Sequence, residues 1–96
     1  MNYLHLHLKG EYWEAIKAGT KHEEYRLCNA YWRKRLEGRS YDGVLLLKGY
    51  PMLSNPHTKL KRAWLGYEIK TITHPHFGPD PVTVYAINVS EPQQDR

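Results

Sequence analysis

Cysteine is nearly absent from this sequence, which contains only Cys28, so no disulfide can form within the chain. Such a protein is typical of a reducing compartment. No segment approaches the roughly 18 consecutive apolar residues of a membrane span. The first residues, MNYLHLHLKGEYW, lack the basic start and apolar run of a secretory signal. We therefore expect a cytoplasmic protein that makes no membrane contact.

Acidic residues are fewer than basic ones, 10 against 14, which gives a formal net charge of +4. A basic surface favours an anionic partner, most often nucleic acid, although an ordinary basic domain has the same composition. The length of 96 residues fits one domain. We assign that domain to residues 1–90 and expect a frayed tail over residues 91–96.

Strand and helix patterns follow one another in the first half of the chain. YLHLHL, residues 3–8, alternates apolar and polar side chains as a half-buried strand does. A short helix is predicted from about Glu11 to Ala18, with Gly19 as its cap. KHEEYRLC, residues 21–28, is typical of a strand, and NAYWRKRLEG, residues 29–38, of a second short helix.

Three more strands are predicted in the second half, at residues 44–47, 63–75 and 82–89, with loops at residues 52–62 (MLSNPHTKLKR) and 74–81 (HPHFGPDP). The elements show no strand–helix–strand rhythm. The pattern therefore predicts a mostly β domain of the α+β class, a small β-barrel of about five strands with two short helices.

The stretch AGTKHEEYR, residues 18–26, concentrates charge directly after the first helix. On a regular strand Glu24 and Arg26 share one face and Lys21 lies on the other, unless a bend beside the glycine breaks the alternation. Lys21 suits a base or nucleophile, or the two cations hold an anionic or carbonyl-bearing ligand. The plainest alternative is a surface ion-pair cluster that contributes less than about 1 kcal/mol.

Gly19, Lys21, Glu24 and Arg26 match the G-x-K-x-x-E-x-R signature, and with the lead-in LHLHLKGEYWEAIKAG the chain resembles the ASCH domain family over most of its length. The resemblance implies a PUA-like β-barrel with a cleft at the motif. It also implies an RNA or nucleotide-like ligand. Some members look hydrolytic: one group removes acyl groups from N4-acetylcytidine and another cleaves RNA.

This sequence departs from the small amidohydrolase group of that family at two points. A Thr in that group occupies the position that is Glu24 here, while its Lys matches Lys21. That group also uses a Glu from a later helical segment, and only the loop at residues 52–62 stands there in this chain. The departure weakens the deacetylase interpretation.

Basic and aromatic residues are interleaved in the second predicted helix, at Tyr31, Arg33, Lys34 and Arg35. Cations for phosphate and rings for stacking are typical of a nucleic-acid contact. The alternative is an amphipathic helix with solvated charges.

Two His-x-His pairs stand at His5 and His7 and at His74 and His76. Four imidazoles on neighbouring strands would form a zinc site. One of the second pair would be a general acid or base if it lies near Lys21. Otherwise they are surface histidines.

We therefore predict an RNA- or nucleoside-directed hydrolase that cleaves RNA or an N4-acylcytidine amide, with Lys21, Glu24 and Arg26 as catalytic residues. The alternative is a non-catalytic RNA- or nucleotide-binding module. Residues predicted to bind the ligand are Gly19, Tyr25, Tyr31, Arg33, Lys34, Arg35, Tyr67, His74, His76 and Phe77. Phe77 either stacks on a base or fills the core. No cofactor or metal ligand is predicted, and metal dependence and oligomeric state stay open.

Overall fold

A computed structural model describes residues 2–49 and 59–93 of the chain. The elements follow in the order β1 (Tyr3–Leu8), α1 (Gly10–Ala18), β2 (Glu23–Leu27), α2 (Ala30–Leu36), β3 (Gly43–Lys48), β4 (Lys59–Arg62), β5 (Tyr67–Ile72) and β6 (Val82–Asn88). A single 3₁₀ turn, Pro75–Phe77, lies between the last two strands.

The strands form two three-stranded sheets, with the orders β1-β3-β4 and β2-β6-β5. The mostly β, α+β class is as predicted, with six strands in place of about five. The extra strand is KLKR, predicted as part of a loop, which pairs antiparallel with β3 so that Leu60 lies opposite Leu46. The predicted closed β-barrel is not found in the part of the chain that the structure describes, where the strands pair as two separate sheets. Residues 52–58 of the predicted loop lie outside the described part.

Strands β1 and β3 are parallel, with Tyr3 opposite Gly43 and Leu8 opposite Lys48. The predicted absence of a strand–helix–strand arrangement was therefore wrong, because α1, β2 and α2 together make the crossover between them. Parallel strands end at the same edge of a sheet. This arrangement brings His7, near the end of β1, to the Gly49 that follows β3, and the His7 ring hydrogen-bonds the Gly49 carbonyl at 3.0 Å.

Buried side chains from both sheets share one core. The centre of the second sheet is β6, and its residues from Val84 to Ile87 are buried on both faces. Helix α1 closes part of this core with Trp13 and Ile16. The Trp13 indole N–H donates to the Leu46 carbonyl at 3.1 Å, which fixes the helix against β3.

The end of α1 determines where Lys21 lies. Gly19 caps the helix with φ of 84°, a left-handed conformation that costs glycine little. The N–H groups of Thr20 and Lys21 then both donate to the Ala15 carbonyl, at 3.0 and 3.2 Å. Strand β2 begins only at Glu23, so strand alternation does not fix the side of Lys21.

Helix α2 begins as predicted, with the Asn29 side chain accepting a hydrogen bond from the Trp32 N–H at 3.0 Å. Leu36 is its buried residue. Beyond the helix end, Glu37 accepts a 2.6 Å hydrogen bond from the buried Tyr85 hydroxyl. Leu36 therefore joins the helix to the core, and Glu37 just after the helix end joins it to Tyr85 of β6.

Strand β5 starts later than the predicted span of residues 63–75, because Gly66 turns the chain with φ of 81°. Three residues of the predicted frayed tail make defined contacts: Ala63 N–H donates to the Glu91 carbonyl, Pro92 bridges to Arg62, and Gln93 contacts Tyr3. Residues 94–96 lie outside the described part.

Neither α1 nor α2 is long and apolar enough to cross a membrane, and these are the α-helices of the described residues.

Candidate functional site

A cleft of about 530 Å³ lies where β1, β2, the start of α2 and the 3₁₀ turn meet. Its volume is in the range of small-ligand sites. Residues that line it include all three predicted catalytic residues and five predicted ligand-binding residues, namely Lys21, Glu24, Arg26, Tyr25, Tyr31, His74, His76 and Phe77.

An ionic cluster of one carboxylate and two cations forms part of the cleft wall. Glu24 is 5% exposed, and its Oε2 accepts a 2.7 Å hydrogen bond from Arg26 Nη1. Its Oε1 lies 3.6 Å from Lys21 Nζ. The Lys21 and Arg26 side chains are each 16% exposed. The cluster is therefore not the surface ion-pair group that the sequence left open.

The Lys21 ammonium also contacts two aromatic faces. Its Nζ lies 4.6 Å from the centroid of the Tyr25 ring and 5.4 Å from that of Tyr12. Cation–π attraction and the Glu24 carboxylate both hold the ammonium group at a fixed place.

The Arg26 guanidinium connects β2 to β1. Its Nη2 donates to the His7 carbonyl at 2.8 Å, and its Nη1 also donates to the Tyr25 carbonyl at 2.8 Å. The guanidinium carbon lies 5.3 Å from the Trp32 ring centroid. Arg26 therefore joins both sheets and α2, and a rigid guanidinium is well suited to that role.

A cluster of rings lines the side of the cleft that includes the 3₁₀ turn. The His74 ring packs edge-on against Tyr12 and Tyr25, with centroid distances of 5.6 and 5.8 Å. The His76 ring contacts Tyr12 at 6.0 Å and Phe77 at 5.0 Å. His74 and Lys21 therefore contact the same two tyrosine rings, those of Tyr12 and Tyr25.

Hydrogen bonds fix which ring nitrogen carries the proton in the neutral forms of His74 and His7, two histidines of the cleft. The Nδ1 atom of His74 accepts from the His76 N–H at 3.1 Å, so the neutral ring carries its proton on Nε2. The Nδ1 atom of His7 lies 3.0 Å from the Gly49 carbonyl oxygen, which can only accept. The neutral His7 ring therefore has a donor at Nδ1 and an acceptor nitrogen at Nε2.

Two tyrosines of the cleft keep their hydroxyl protons. Burial, followed by the nearby Glu23 carboxylate and its hydrogen bond, raises the pKa of Tyr25. Burial and then the charges of Glu11 and Glu24 raise the pKa of Tyr12. Both hydroxyls are therefore neutral donors over the physiological pH range.

Five predicted ligand-binding residues do not line the cleft: Gly19, Arg33, Lys34, Arg35 and Tyr67. Gly19 acts through the helix cap described above. Tyr67 packs its ring against Tyr85, 5.1 Å between centroids, and belongs to the edge of the core. Its side chain therefore has no access to a ligand in the cleft.

The three cations of α2 extend from the cleft rim to the surface. The Arg35 guanidinium carbon lies 3.4 Å from the ring centroid of Tyr31, a cleft residue that is 56% exposed. Arg33 and Lys34 are exposed on the same short helix. These residues form a basic surface next to the cleft.

Sequence reasoning did not assign Tyr12, Trp32 or His7 to the ligand site. The helical spacing of Tyr12 indicates only an apolar helix face, and that of Trp32 a core residue. Trp32 is half-buried and lines the cleft beneath Arg26. The available signal was the polar atom on each of these rings, because a ring with an O–H or N–H group favours the solvent-exposed boundary of a core over its interior.

Among residues 2–49 and 59–93, no group of three or more His, Cys, Asp or Glu side chains is placed to hold a metal ion. The zinc interpretation of the two His-x-His pairs therefore has no ligand set in that part of the chain. No protein-family model, curated protein or solved structure matches this chain. The cleft residues themselves are thus the basis for a functional assignment.

Proposed function

We propose that this chain is an ASCH-type, PUA-like protein that hydrolyses RNA or a modified nucleoside, with Lys21, Glu24 and Arg26 in its active site. The observation that carries the proposal is the position of the Lys21 ammonium, ion-paired to Glu24 and packed on two tyrosine rings inside a cleft. We propose the cytoplasm as the compartment, because the single cysteine is free.

A nucleobase matches the chemistry of this cleft. Its lining combines aromatic faces, which stack on any base, with cations that suit phosphate or a polarised carbonyl. Stacking on a protein ring contributes about 1–3 kcal/mol per base. The exposed Tyr31 ring at the rim, beside the basic surface of α2, offers a place for a neighbouring nucleotide.

Lys21 acts in this proposal as a fixed positive charge. Its ion pair and ring contacts are those of an ammonium ion, which favours stabilisation of an oxyanion over nucleophilic attack. For an N4-acylcytidine, water adds to the acyl carbon and the oxyanion forms beside Lys21. Collapse then breaks the C–N bond, and the amine nitrogen takes one proton of the attacking water. The acid product releases the other proton to solvent and leaves as a carboxylate.

The imidazoles supply the proton-transfer groups for such a step. His7 lines the cleft, and an imidazole is the kind of group that takes a proton from water in such a step. His74 presents a donor at Nε2, which suits a bond to the substrate carbonyl or leaving group. Glu24 positions the two cations, and both of its oxygens are already engaged.

The second candidate is a binding module that recognises RNA or a nucleotide without chemistry. Among the described residues that line the cleft, Glu24 is the one carboxylate. Because Lys21 and Arg26 hold it, no carboxylate of the described lining is positioned to activate water. That observation favours binding alone and leaves the imidazoles as the bases that the hydrolase requires.

The deciding experiment incubates the protein with N4-acetylcytidine and with a short single-stranded RNA, with and without a chelator, and detects products by mass spectrometry. The variant Lys21→Ala removes the ammonium. Lys17→Ala is the matched control, because Lys17 lies on α1, outside the cleft, over the Trp13 ring. Circular dichroism checks that each variant is folded.

We expect product from the wild type and from Lys17→Ala, and none from Lys21→Ala. Equal turnover in Lys21→Ala contradicts the hydrolase proposal. Absence of product, together with RNA binding that weakens steeply with salt, favours the binding module. Absence of both product and binding overturns both proposals.

A further inference from the structure

Strand β5 is the outer strand of the β2-β6-β5 sheet, and β6 is its only strand neighbour in the described part of the chain. The Asn88 N–H donates to the Gly66 carbonyl at 3.2 Å. This bond shows which residues of β5 direct their backbone N–H and C=O groups towards β6, namely every second residue counted from Gly66. In an antiparallel pair the hydrogen-bonded positions alternate. The backbone groups of Tyr67, Ile69 and Thr71 therefore point away from β6.

Side chains of the same chain use backbone groups at the other sheet edges. At β2, Tyr25 donates its N–H to Glu24 and accepts from Arg26. At β1, the His7 carbonyl accepts from Arg26. Within residues 2–49 and 59–93, no such contact reaches the outward backbone groups of β5.

At β4, the Lys61 carbonyl accepts from Arg62, and the next N–H, that of Ala63, donates to Glu91. Strand β4 also carries like charges, at Lys59 and Lys61, which disfavour pairing with a second β4. Among the described residues, β5 therefore differs from β1 and β2 in its uncontacted outward backbone groups, and from β4 in its charges as well.

We propose that a second copy of this chain pairs antiparallel with β5, about a two-fold axis at Ile69. In that register Ile69 exchanges both backbone hydrogen bonds with Ile69 of the partner subunit. Tyr67 does the same with Thr71 of the partner subunit. The two sheets become one continuous sheet of six strands, and the interface closes on itself.

The charges along β5 match this register and no shifted one. Glu68 lies opposite Lys70 of the partner subunit, and Lys70 lies opposite Glu68 of the partner subunit. Opposite charges across an antiparallel pair are stabilising, and like charges are destabilising. Within one chain, Lys70 Nζ lies 2.8 Å from Glu23 and 3.8 Å from Glu68, so it already sits among carboxylates.

The centre of this edge is apolar and exposed, because Ile69 is 59% exposed. In the proposed dimer the two Ile69 side chains are direct neighbours at the axis. Because Glu68 and Lys70 carry opposite charges and lie one residue on either side of Ile69, a second copy fits this edge better than a peptide of unrelated sequence.

The test measures the mass of the protein by light scattering over a dilution series. We expect twice the 11.3 kDa of one chain at high concentration, falling towards one chain on dilution. Glu68→Lys places two lysines opposite two lysines, and Lys70→Glu places four carboxylates together. Each variant alone should associate at least roughly tenfold more weakly. A mixture of the two should regain the dimer, because each strand then meets its opposite charge.

Glu14→Lys is the matched control, because Glu14 is an exposed acid on α1 that pairs with Lys48, away from β5. It should dimerise as the wild type does. If Lys70→Glu fails to fold without its Glu23 partner, Ile69→Arg replaces it and sets two guanidiniums against each other on the axis. A single-chain mass at every concentration overturns the proposal. So does a dimer that survives the β5 variants unchanged, or association that continues beyond two chains.

Discussion

Glu24 and Arg26 lie two residues apart on one strand, and the Glu24 carboxylate accepts a 2.7 Å hydrogen bond from Arg26 Nη1. Both side chains point to the same side of β2, as strand alternation requires. The other carboxylate oxygen faces Lys21 at 3.6 Å. One carboxylate therefore separates two cations that would otherwise repel each other inside a cleft.

Glu24→Gln is expected to lower the free energy of unfolding by about 2–3 kcal/mol, because it leaves Lys21 and Arg26 as neighbouring, poorly solvated cations. Urea unfolding at neutral pH measures the change. Glu14→Gln is the control, since the ion pair of Glu14 with Lys48 is 54% and 40% exposed and should leave stability unchanged. If both variants change the free energy of unfolding equally, the Glu24 ion pairs stabilise the fold no more than the exposed Glu14–Lys48 pair does.

Tyr85→Phe is expected to change how stability depends on alkaline pH. Burial and then the Glu37 hydrogen bond raise the pKa of Tyr85 to about 12, against about 10 in the unfolded chain. The folded state therefore holds the proton more tightly. This stabilisation is complete below about pH 10 and is lost as the pH rises towards about 12.

Urea unfolding of the wild type and Tyr85→Phe at several pH values between about 8 and 11 measures this effect. Near pH 8 the variant should be less stable by about 1 kcal/mol, the contribution of one partly exposed hydrogen bond. The difference in free energy of unfolding between the wild type and Tyr85→Phe should become smaller above about pH 10. A gap that stays constant across the series contradicts the assignment.

Charge removal on α2 is expected to separate RNA binding from chemistry in the cleft. Arg33→Gln and Lys34→Gln should weaken RNA binding and reduce the slope of log K against log salt by about 0.7–0.9 for each phosphate that the variant no longer neutralises. Turnover of a free nucleoside should not change, because neither residue lines the cleft. A fluorescence titration at three salt concentrations provides the slope, and slower nucleoside turnover in either variant would count against the separation.

The Cys28 thiol is expected to react slowly with iodoacetamide at pH 8. Burial and then the nearby Glu37 carboxylate raise its pKa, so little thiolate is present in the folded protein. Mass spectrometry of the alkylated chain gives the rate. The same reagent in denaturant should label the thiol much faster, and equal rates in the two conditions would contradict a protected thiol.

Local features of the fold were predictable because neighbours in sequence determine them. The cap at Gly19 and the N-cap at Asn29 require only a few adjacent residues. The alternation of YLHLHL indicated the buried face of β1 directly. The charged motif also predicted a cluster, because Glu24 and Arg26 share a face of one strand.

Long-range features were not predictable from such patterns. The parallel pairing of β1 with β3 depends on a crossover of three elements, and no local spacing marks it. KLKR has the composition of a loop, and it becomes a strand by pairing with β3. His7 and Tyr12 join the cleft only because the His74 loop returns to them from the far end of the chain.

The strand pairings also have a consequence for how the protein folds. Tyr3 pairs opposite Gly43, and Glu23 pairs opposite Asn88, so both sheets depend on contacts between distant parts of the chain. Such high contact order slows folding, because loop entropy is lost before the contacts form. The strand that holds Glu24 and Arg26 completes its sheet only when β6 has arrived. A growing chain on the ribosome therefore has no cleft until β6 has been synthesised.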